Sequence, residues 1–255
     1  MEAAERQLSI VVPAFREAPN LRPLCERVFA AAGAAGIGAE MVIVDDDSRD
    51  GSETVVRELA ADYAIRIVVR KGERGLSSAV VRGFEEARHD VFLVMDADMS
   101  HPPQAIPALA EKVFTGEAEF ALGSRYVPGG EMKNWPWLRR LNSWVATVPA
   151  RLLAPVRDPM AGFFCLHRRT WRRAEKLSPI GYKIALELMV KCRCRRFAEV
   201  PIEFTDRIAG ESKLTVGQQL LYLRQLCGLY WFRFPVAVVA LTALVLAIVT
   251  WRIAT

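Results

Sequence analysis

The chain has 255 residues, of which 52% are hydrophobic, and a formal net charge of +5 at pH 7. This length suits one large domain, or one domain with an appendage, and the hydrophobic share is above that of an ordinary soluble protein. The positive charge favours an anionic partner, either nucleic acid or a membrane surface. No spacing typical of a nucleic-acid-binding module occurs, so we expect membrane lipids as a partner and no nucleic acid.

Short apolar runs alternate with candidate helices along the first half of the chain. The runs predict strands at 8–12, 41–44, 65–69, 91–95 and 120–122. The segments between them predict helices over about 19–35, 75–88 and 102–114. This alternation is typical of an α/β domain with a mostly parallel, Rossmann-like sheet. In such sheets, ligands bind at the carboxyl ends of the strands.

Two aspartates directly follow the predicted strand 91–95. Asp96 and Asp98 are separated by one residue and precede a proline pair. Two carboxylates suit a hard cation such as Mg²⁺ or Mn²⁺, which binds one or two carboxylates together with substrate phosphate oxygens. The pair therefore predicts a metal site for a nucleotide diphosphate, the alternative being a solvated turn or a helix cap.

Three consecutive aspartates follow the strand 41–44. Asp45, Asp46 and Asp47 repel one another unless hydrogen-bond donors or cations receive them. The base N–H groups and ribose hydroxyls of a nucleotide are such donors, so we expect Asp45 and Asp46 to bind ligand. Residues 50–52 are expected to cap the next helix.

The C-terminal part has the pattern of a membrane-bound segment. Residues 134–154 predict a helix with one apolar face, which suits the headgroup plane of a bilayer, although a core-packed helix is the alternative. Residues 214–233 form a second amphipathic, juxtamembrane segment. The uncharged stretch 234–251 is long enough, at about 27 Å as a helix, to cross a bilayer.

Charge and the N-terminal residues set the expected orientation. Arginines precede the predicted span more than they follow it, and residues 1–7 lack the apolar core of a secretory signal. We therefore expect one domain over 1–213 in the cytoplasm, attached to the membrane by a single C-terminal span.

Several short motifs occur in a distinctive order. They are VVPAFRE (11–17), VDDDSRDGS (44–52), RKGERGLSSAVVRGF (70–84), MDADMSHPP (95–103), GSRY (123–126), DPMAGFF (158–164), GYKIALELMVK (181–191) and EVPIEFTDRIAGESKL (199–214). Together they resemble the GT-A glycosyltransferases of family 2, and specifically the dolichol- or polyprenol-phosphate mannose synthases. The resemblance implies a GT-A catalytic domain.

The resemblance also implies roles for individual residues. Positions that contact the nucleoside in the family are matched by Pro13, Phe15, Glu17, Val44 and Asp46. The diphosphate and metal motif is matched by Asp96, Ala97 and Asp98. The basic pair that closes on the donor phosphates is matched by Arg207 and Lys213, and the positions that hold the acceptor phosphate by Arg125, Arg139 and Ser143. Many relatives carry Gln where this chain has Ser100, so water could replace a third metal ligand.

The implied reaction is an inverting transfer of a hexose onto a polyprenyl phosphate, with mannose from GDP-mannose favoured. A lipid phosphate is already anionic at neutral pH, so no general base is needed, and arginine suits phosphate oxygens bidentately. A UDP-sugar donor remains an alternative. A non-catalytic nucleotide-binding module is disfavoured because the acidic and basic motif residues are present. A sugar nucleotidyltransferase is disfavoured because no N-terminal glycine-rich phosphate cradle occurs.

Overall fold

A computed structural model describes residues 6–132, 137–204, 216–240 and 250, and for residues 132, 137–143 and 216 it describes the backbone alone. The strands of this part are β1 (Gln7–Ala14), β2 (Gly38–Asp45), β3 (Ile65–Val69), β4 (Val91–Val94), β5 (Phe120–Ser124), β6 (Glu131–Met132), β7 (Phe164–His167), β8 (Phe197–Pro201) and β9 (Glu203–Phe204). Its helices are α1 (Ala18–Ala34), α2 (Ser52–Leu59), α3 (Leu76–Glu86), α4 (Ile106–Phe114), α5 (Trp137–Leu153), α6 (Arg168–Trp171), α7 (Ile184–Lys191) and α8 (Val216–Arg233).

Seven of these strands form one sheet in the order β3-β2-β1-β4-β7-β5-β8. β1 pairs in parallel with β2 and β4, β2 with β3, and β5 with β8. β7 runs antiparallel to both of its neighbours, β4 and β5. The carboxyl ends of β1, β2, β4 and β5 therefore meet at one edge of the sheet, which we call the site edge. The predicted α/β fold with a mostly parallel sheet is confirmed.

Helices cover both faces of the sheet, and the composition of β1 reflects this. Leu8, Ile10, Val11 and Val12 are all completely buried, because successive residues of the strand point into two different apolar layers. Ile10 packs in the layer that contains α1, α2 and α4, whereas Val11 packs in the layer that contains α3, α5, α7 and α8. A strand with both faces covered has no need of alternating polar residues.

The predicted strands and helices in the first half of the chain are confirmed, with ends that differ by at most four residues. Among the described elements, six were not foreseen, namely α6, α7, β6, β7, β8 and β9. They are short, and β7 inserts antiparallel between two strands from earlier in the chain, which no local pattern indicates. The predicted cap of α2 also needs correction. The N-cap is Gly51, in the left-handed region at φ 96°, without a side-chain cap, while Asp50 accepts a hydrogen bond from the amide of Ser52 at 3.1 Å.

The two predicted amphipathic segments are helices that pack on each other. The hydroxyl of Tyr222 on α8 donates to the carbonyl of Ala146 on α5 at 2.6 Å, and Tyr230 likewise donates to Pro149 at 2.8 Å. Both helices leave large apolar side chains in solvent, and the group comprises Trp144, Val145, Val148 and Leu152 on α5 with Leu220, Leu223 and Trp231 on α8. We call this surface the apolar face. α5 also packs into the core through Ala150 and Leu153, and its placement in a headgroup plane stays a prediction.

Within the residues that the structure describes, no helix combines the length and apolar character needed to cross a bilayer. The predicted span over 234–251 includes residues 241–249 and 251, which lie outside the described part. The span therefore stays a prediction.

Close packing between α3 and β1 gives a test of the fold. A Cβ at Gly83 would lie 2.2 Å from Cγ1 of the fully buried Val11. Overpacking of a core typically costs about 1–3 kcal/mol, which exceeds the gain of about 1 kcal/mol from replacing a helical glycine by alanine. We expect Gly83→Ala to lower the free energy of unfolding and the melting temperature, measured by circular dichroism.

Gly33 on α1 provides the matched control. A Cβ there meets nothing within 4 Å, so Gly33→Ala is expected to keep or raise the melting temperature. Equal effects of the two substitutions would contradict the packing of α3 on β1.

Candidate active site

The acidic pair predicted to bind metal lies at the site edge, immediately after β4. Asp98 is buried, with 6% of its surface exposed, and its Oδ1 accepts a hydrogen bond from the amide of Ser100 at 3.1 Å. Met99, between them, has a left-handed backbone at φ 63°, an uncommon conformation for a residue with a side chain. The turn is therefore tightly determined, and it folds the chain back toward the two carboxylates.

His101 positions Asp96, a role that the motif alone did not reveal. Its Nδ1 accepts a hydrogen bond from the amide of Asp96 at 3.0 Å, and its Nε2 lies 3.9 Å from Oδ2 of the same residue. The ring is buried and stacks on Phe163 at a centroid distance of 5.1 Å. Burial lowers the pKa of His101, so the neutral imidazole carries its proton on Nε2, facing the carboxylate.

The hydroxyl of Ser100 is an orphaned buried oxygen. It has no hydrogen-bond partner within the described part of the chain, and such groups are costly unless something satisfies them. Its amide already bonds to Asp98, so this oxygen lies beside the acidic pair. The donor set here is two carboxylates and one hydroxyl, which fits a hard cation that completes its shell with water and phosphate oxygens. No group of three or more His, Cys, Asp or Glu side chains that could hold a metal occurs among the described residues.

The aspartates after β2 have partners within the chain. Asp45 accepts two hydrogen bonds from Ser48, one from its amide at 2.8 Å and one from its hydroxyl. Asp47 pairs with Arg49 at 2.7 Å, and these hydrogen bonds lower the pKa of Asp47. Ligand contact by Asp45 stays a prediction, but its carboxylate already closes a local turn.

Asp46 forms an ion pair with Arg70, a residue that the sequence reasoning did not single out. Both Nε and Nη2 of the buried Arg70 donate to its Oδ1, the former at 2.8 Å, and the amide of Gly75 donates to its Oδ2 at 2.9 Å. The Arg70 guanidinium also reaches the hydroxyl of Ser78 at 2.9 Å. Repulsion between the aspartates is thus relieved without a nucleotide, and Asp46 fixes the loop after β3 against the end of β2.

This loop forms one wall of a cavity at the site edge. The cavity has a volume of about 400 Å³, and its lining comprises Asp46, Asp47, Gly72, Glu73 and Arg74. The guanidinium carbon of Arg74 lies 4.7 Å from the ring centroid of Phe15. Phe15 was predicted to contact the nucleoside, and it lies beside the cavity walls.

The remaining predicted nucleoside contacts differ in exposure. Pro13 is half-buried at the end of β1, and Glu17 accepts a hydrogen bond from the side chain of Asn20 at 2.7 Å. Val44 and Ala97 are buried in the two apolar layers. They can offer a ligand main-chain atoms, but their side chains belong to the core.

Arg125, predicted to hold the acceptor phosphate, is bound to an aspartate that the sequence reasoning missed. Its Nε and Nη2 atoms donate to the two oxygens of Asp158, both at 2.8 Å. Burial, the largest influence, lowers the pKa of Arg125, but the hydrogen bonds to Asp158, together with the negative charges of Asp158, Tyr126 and Asp96, raise it overall. Arg125 is therefore a fixed cation close to the acidic pair.

Four predicted site residues cannot be placed by their side chains. Arg139 and Ser143 lie on α5, where the backbone alone is described, and residues 207 and 213 lie outside the described part. The roles of Arg139, Ser143, Arg207 and Lys213 stay predictions. The structure thus brings together Asp96, Asp98, Arg125 and the cavity lined by Asp46 and Arg74 at one edge.

Comparisons with known proteins agree with this arrangement. The family model "Glycosyl transferase family 2" matches residues 9–177. A dolichol-phosphate mannosyltransferase from Mycosarcoma maydis is 46% identical over 255 residues, covering 95% of this chain and 86% of that protein. The protein of the same name from Saccharomyces cerevisiae is 42% identical, covering 89% of this chain and 88% of its own length.

A solved structure shows the same fold. Glucosyl-3-phosphoglycerate synthase from Mycobacterium tuberculosis, in complex with Mn²⁺, UDP-glucose and phosphoglyceric acid, superposes with a TM-score of 0.63 at 18% identity, covering 90% of this chain and 80% of that one. At this identity the likeness concerns the fold alone. The sequence relatives carry the assignment further: the chain belongs to glycosyl transferase family 2, in the group of the dolichol- and polyprenol-phosphate mannose synthases.

Proposed function

We propose that this protein transfers mannose from GDP-mannose to a polyprenyl phosphate at a membrane surface. The observation that carries the proposal is the placement of Asp96 and Asp98 at the site edge beside the fixed cation Arg125, in a chain that is 46% identical to a dolichol-phosphate mannosyltransferase. Carboxylates suit the metal-bound diphosphate of a sugar nucleotide, and arginine suits a phosphate acceptor.

Asp96 and Asp98 would hold a Mg²⁺ or Mn²⁺ ion, with the unsatisfied hydroxyl of Ser100 facing the ion or its water. When bound, such an ion offsets the charge that develops on the departing diphosphate. His101 keeps Asp96 oriented through the amide hydrogen bond and the ring stacking described above. The solved structure of similar fold contains Mn²⁺, which supports this part of the proposal.

The reaction needs no proton transfer. A phosphate oxygen of the acceptor forms a bond to C1 of mannose from the face opposite the diphosphate, while the bond from C1 to the diphosphate breaks and its electron pair leaves with GDP. The acceptor oxygen is already anionic, since the second pKa of a phosphate monoester is roughly 6. The protein's task is to bring two anions together, for which fixed cations are suited.

The acceptor's long apolar chain requires contact with a bilayer. The apolar face of α5 and α8 exposes 54% of Trp144 and 56% of Trp231, and such rings favour the membrane interface. In this proposal α5 and α8 lie in the headgroup plane, residues 234–251 cross the bilayer, and the domain over 1–213 works on the cytoplasmic side.

Transfer and its metal dependence can be tested together. Purified protein with labelled GDP-mannose, Mn²⁺ and polyprenyl phosphate is expected to form a labelled lipid, and chelation should abolish it. Asp98→Asn should lower kcat by about 100-fold, because charge stabilisation at the diphosphate is lost. The control is Asp90→Asn, an exposed aspartate paired with Arg168, which should leave the rate unchanged. Full activity of the chelated enzyme or of the Asp98 variant would refute the proposal.

The base of the donor can be tested by binding. Guanine offers N–H donors on two adjacent positions of its pairing edge, whereas uracil offers one between two acceptors. The cavity presents carboxylates from Asp47 and Glu73, which accept such donors. In calorimetric titrations with Mn²⁺, GDP is expected to bind at least about tenfold more tightly than UDP, a difference of ~1.4 kcal/mol. Tighter binding of UDP would instead favour a UDP-sugar donor.

A further inference from the structure

Lys183 lies at the site edge and has no role in the arrangement described so far. It is the N-cap residue of α7. Its ammonium donates to the carbonyl of Met160 at 3.0 Å and lies 4.6 Å from the ring centroid of Tyr182. Within the described part of the chain, no carboxylate oxygen lies within 4.0 Å of this nitrogen.

The loop that precedes β7 connects Lys183 to the active site. Within it, Asp158 holds Arg125, and the carbonyl of Met160 accepts the hydrogen bond from Lys183. Farther along, a Cβ at Gly162 would lie 3.6 Å from Oδ2 of Asp96, so the loop backbone packs directly on that carboxylate. One short segment thus contacts the Lys183 ammonium, the Arg125 guanidinium and the carboxylate of Asp96.

The surroundings of Lys183 disfavour its positive charge. Burial is the main cause and the neighbouring Arg125 adds repulsion, which together lower the pKa of Lys183 to about 8 against the pull of Asp158 and Asp96. The N-terminus of α7, with its partial positive charge, is a further unfavourable neighbour for a cation. An anion bound there would offset the burial of the ammonium, the repulsion by Arg125 and the unfavourable helix N-terminus.

Lys191, at the other end of α7, has surroundings that favour its positive charge. It is buried, but its ammonium pairs with Glu187 at 2.8 Å and donates to the carbonyl of Lys176 at 2.6 Å. It lies in the last turn of α7, where a cation is favoured. Lys191 is therefore paired with a carboxylate, whereas Lys183 has no carboxylate partner in the described part of the chain.

We propose that Lys183 binds the phosphate of the lipid acceptor together with Arg125. This inference rests on the proposed function. The acceptor phosphate is favoured over the donor diphosphate because the loop whose Met160 carbonyl binds Lys183 also holds Arg125 through Asp158. In addition, the side chain of Gln225 on α8 donates to the carbonyl of Lys183 at 3.3 Å. Lys183 thus stands between the acidic pair and the helices that carry the apolar face.

The kinetic test compares Lys183→Met with the control Lys112→Met, a half-exposed lysine in the last turn of α4 that pairs with Glu117. The Lys183 variant should raise the KM for polyprenyl phosphate by roughly 10- to 100-fold, the range lost with a hydrogen bond to a charged group. The affinity for GDP with Mn²⁺ should not change. Its melting temperature should equal or exceed that of the wild type, because a disfavoured buried charge is removed. Lys112→Met should alter none of these quantities.

The pH profile separates a role in binding from a role in structure. In the free enzyme Lys183 is charged below its pKa of about 8, so kcat/KM for the acceptor should fall as the pH rises through 8. Burial raises the pKa of Tyr182 and of Tyr222 and lowers that of His101, so these groups do not titrate in that window. Lys183→Arg should remove the fall, since arginine stays protonated.

Binding of farnesyl phosphate, measured by calorimetry, distinguishes this inference from the proposed function. If the wild type transfers no sugar but binds farnesyl phosphate more tightly than Lys183→Met does, the proposed function fails and the role of Lys183 stands. Farnesol should bind both proteins equally. An unchanged acceptor KM in Lys183→Met, or a loss confined to GDP affinity, would overturn the inference.

Discussion

The buried ion pair between Arg125 and Asp158 is the constraint on which the active site depends. It joins the end of β5 to the loop before β7 by two side-chain hydrogen bonds of 2.8 Å and a third from the Arg125 amide. Removing one partner of such a pair typically costs about 3–5 kcal/mol, because the other charge is left buried and unpaired. The amide of Asp158 is fixed in turn by Glu199 on β8 at 3.0 Å. These hydrogen bonds thus connect β5, the loop before β7 and β8 near the site edge.

Charge compensation at the site edge follows a consistent pattern. Carboxylates that shape loops, such as Asp45 and Asp46, have their oxygens satisfied within the chain. The buried hydroxyl of Ser100 and the ammonium of Lys183 are less well satisfied by the described residues. Unsatisfied polar groups are costly in a folded protein, so their concentration at one edge marks the place where substrates supply the missing partners. These unsatisfied groups lower the stability of the fold at the place where phosphates and a cation are expected to bind.

The sequence allowed the first half of the fold and the acidic pair to be predicted, because these features are local. A buried parallel strand is a continuous apolar run, and the residues directly after it must lie at the carboxyl edge of the sheet. The partners of the charged residues could not be predicted in this way. Arg125 and Asp158 are 33 residues apart, and Asp46 and Arg70 are 24 apart, so only the folded sheet brings them together. For the same reason the sequence did not reveal that Arg70 and Gly75 already bind Asp46, while nucleotide contact by Asp46 stays a prediction.

The antiparallel strand β7 explains how one small domain can serve two substrates of different character. Because β7 enters the sheet from the site edge, the loop before it must pass between the acidic pair after β4 and the cation after β5. The cavity lined by Asp46 and Arg74 lies on the other side of β4, beyond β1 and next to β2 and β3. The helices with the apolar face lie on the β7 side, where α7 contacts α8 through Gln225. In the proposed function, a water-soluble donor and a membrane-bound acceptor would therefore approach from opposite sides, with their phosphates at the loop that holds Asp158.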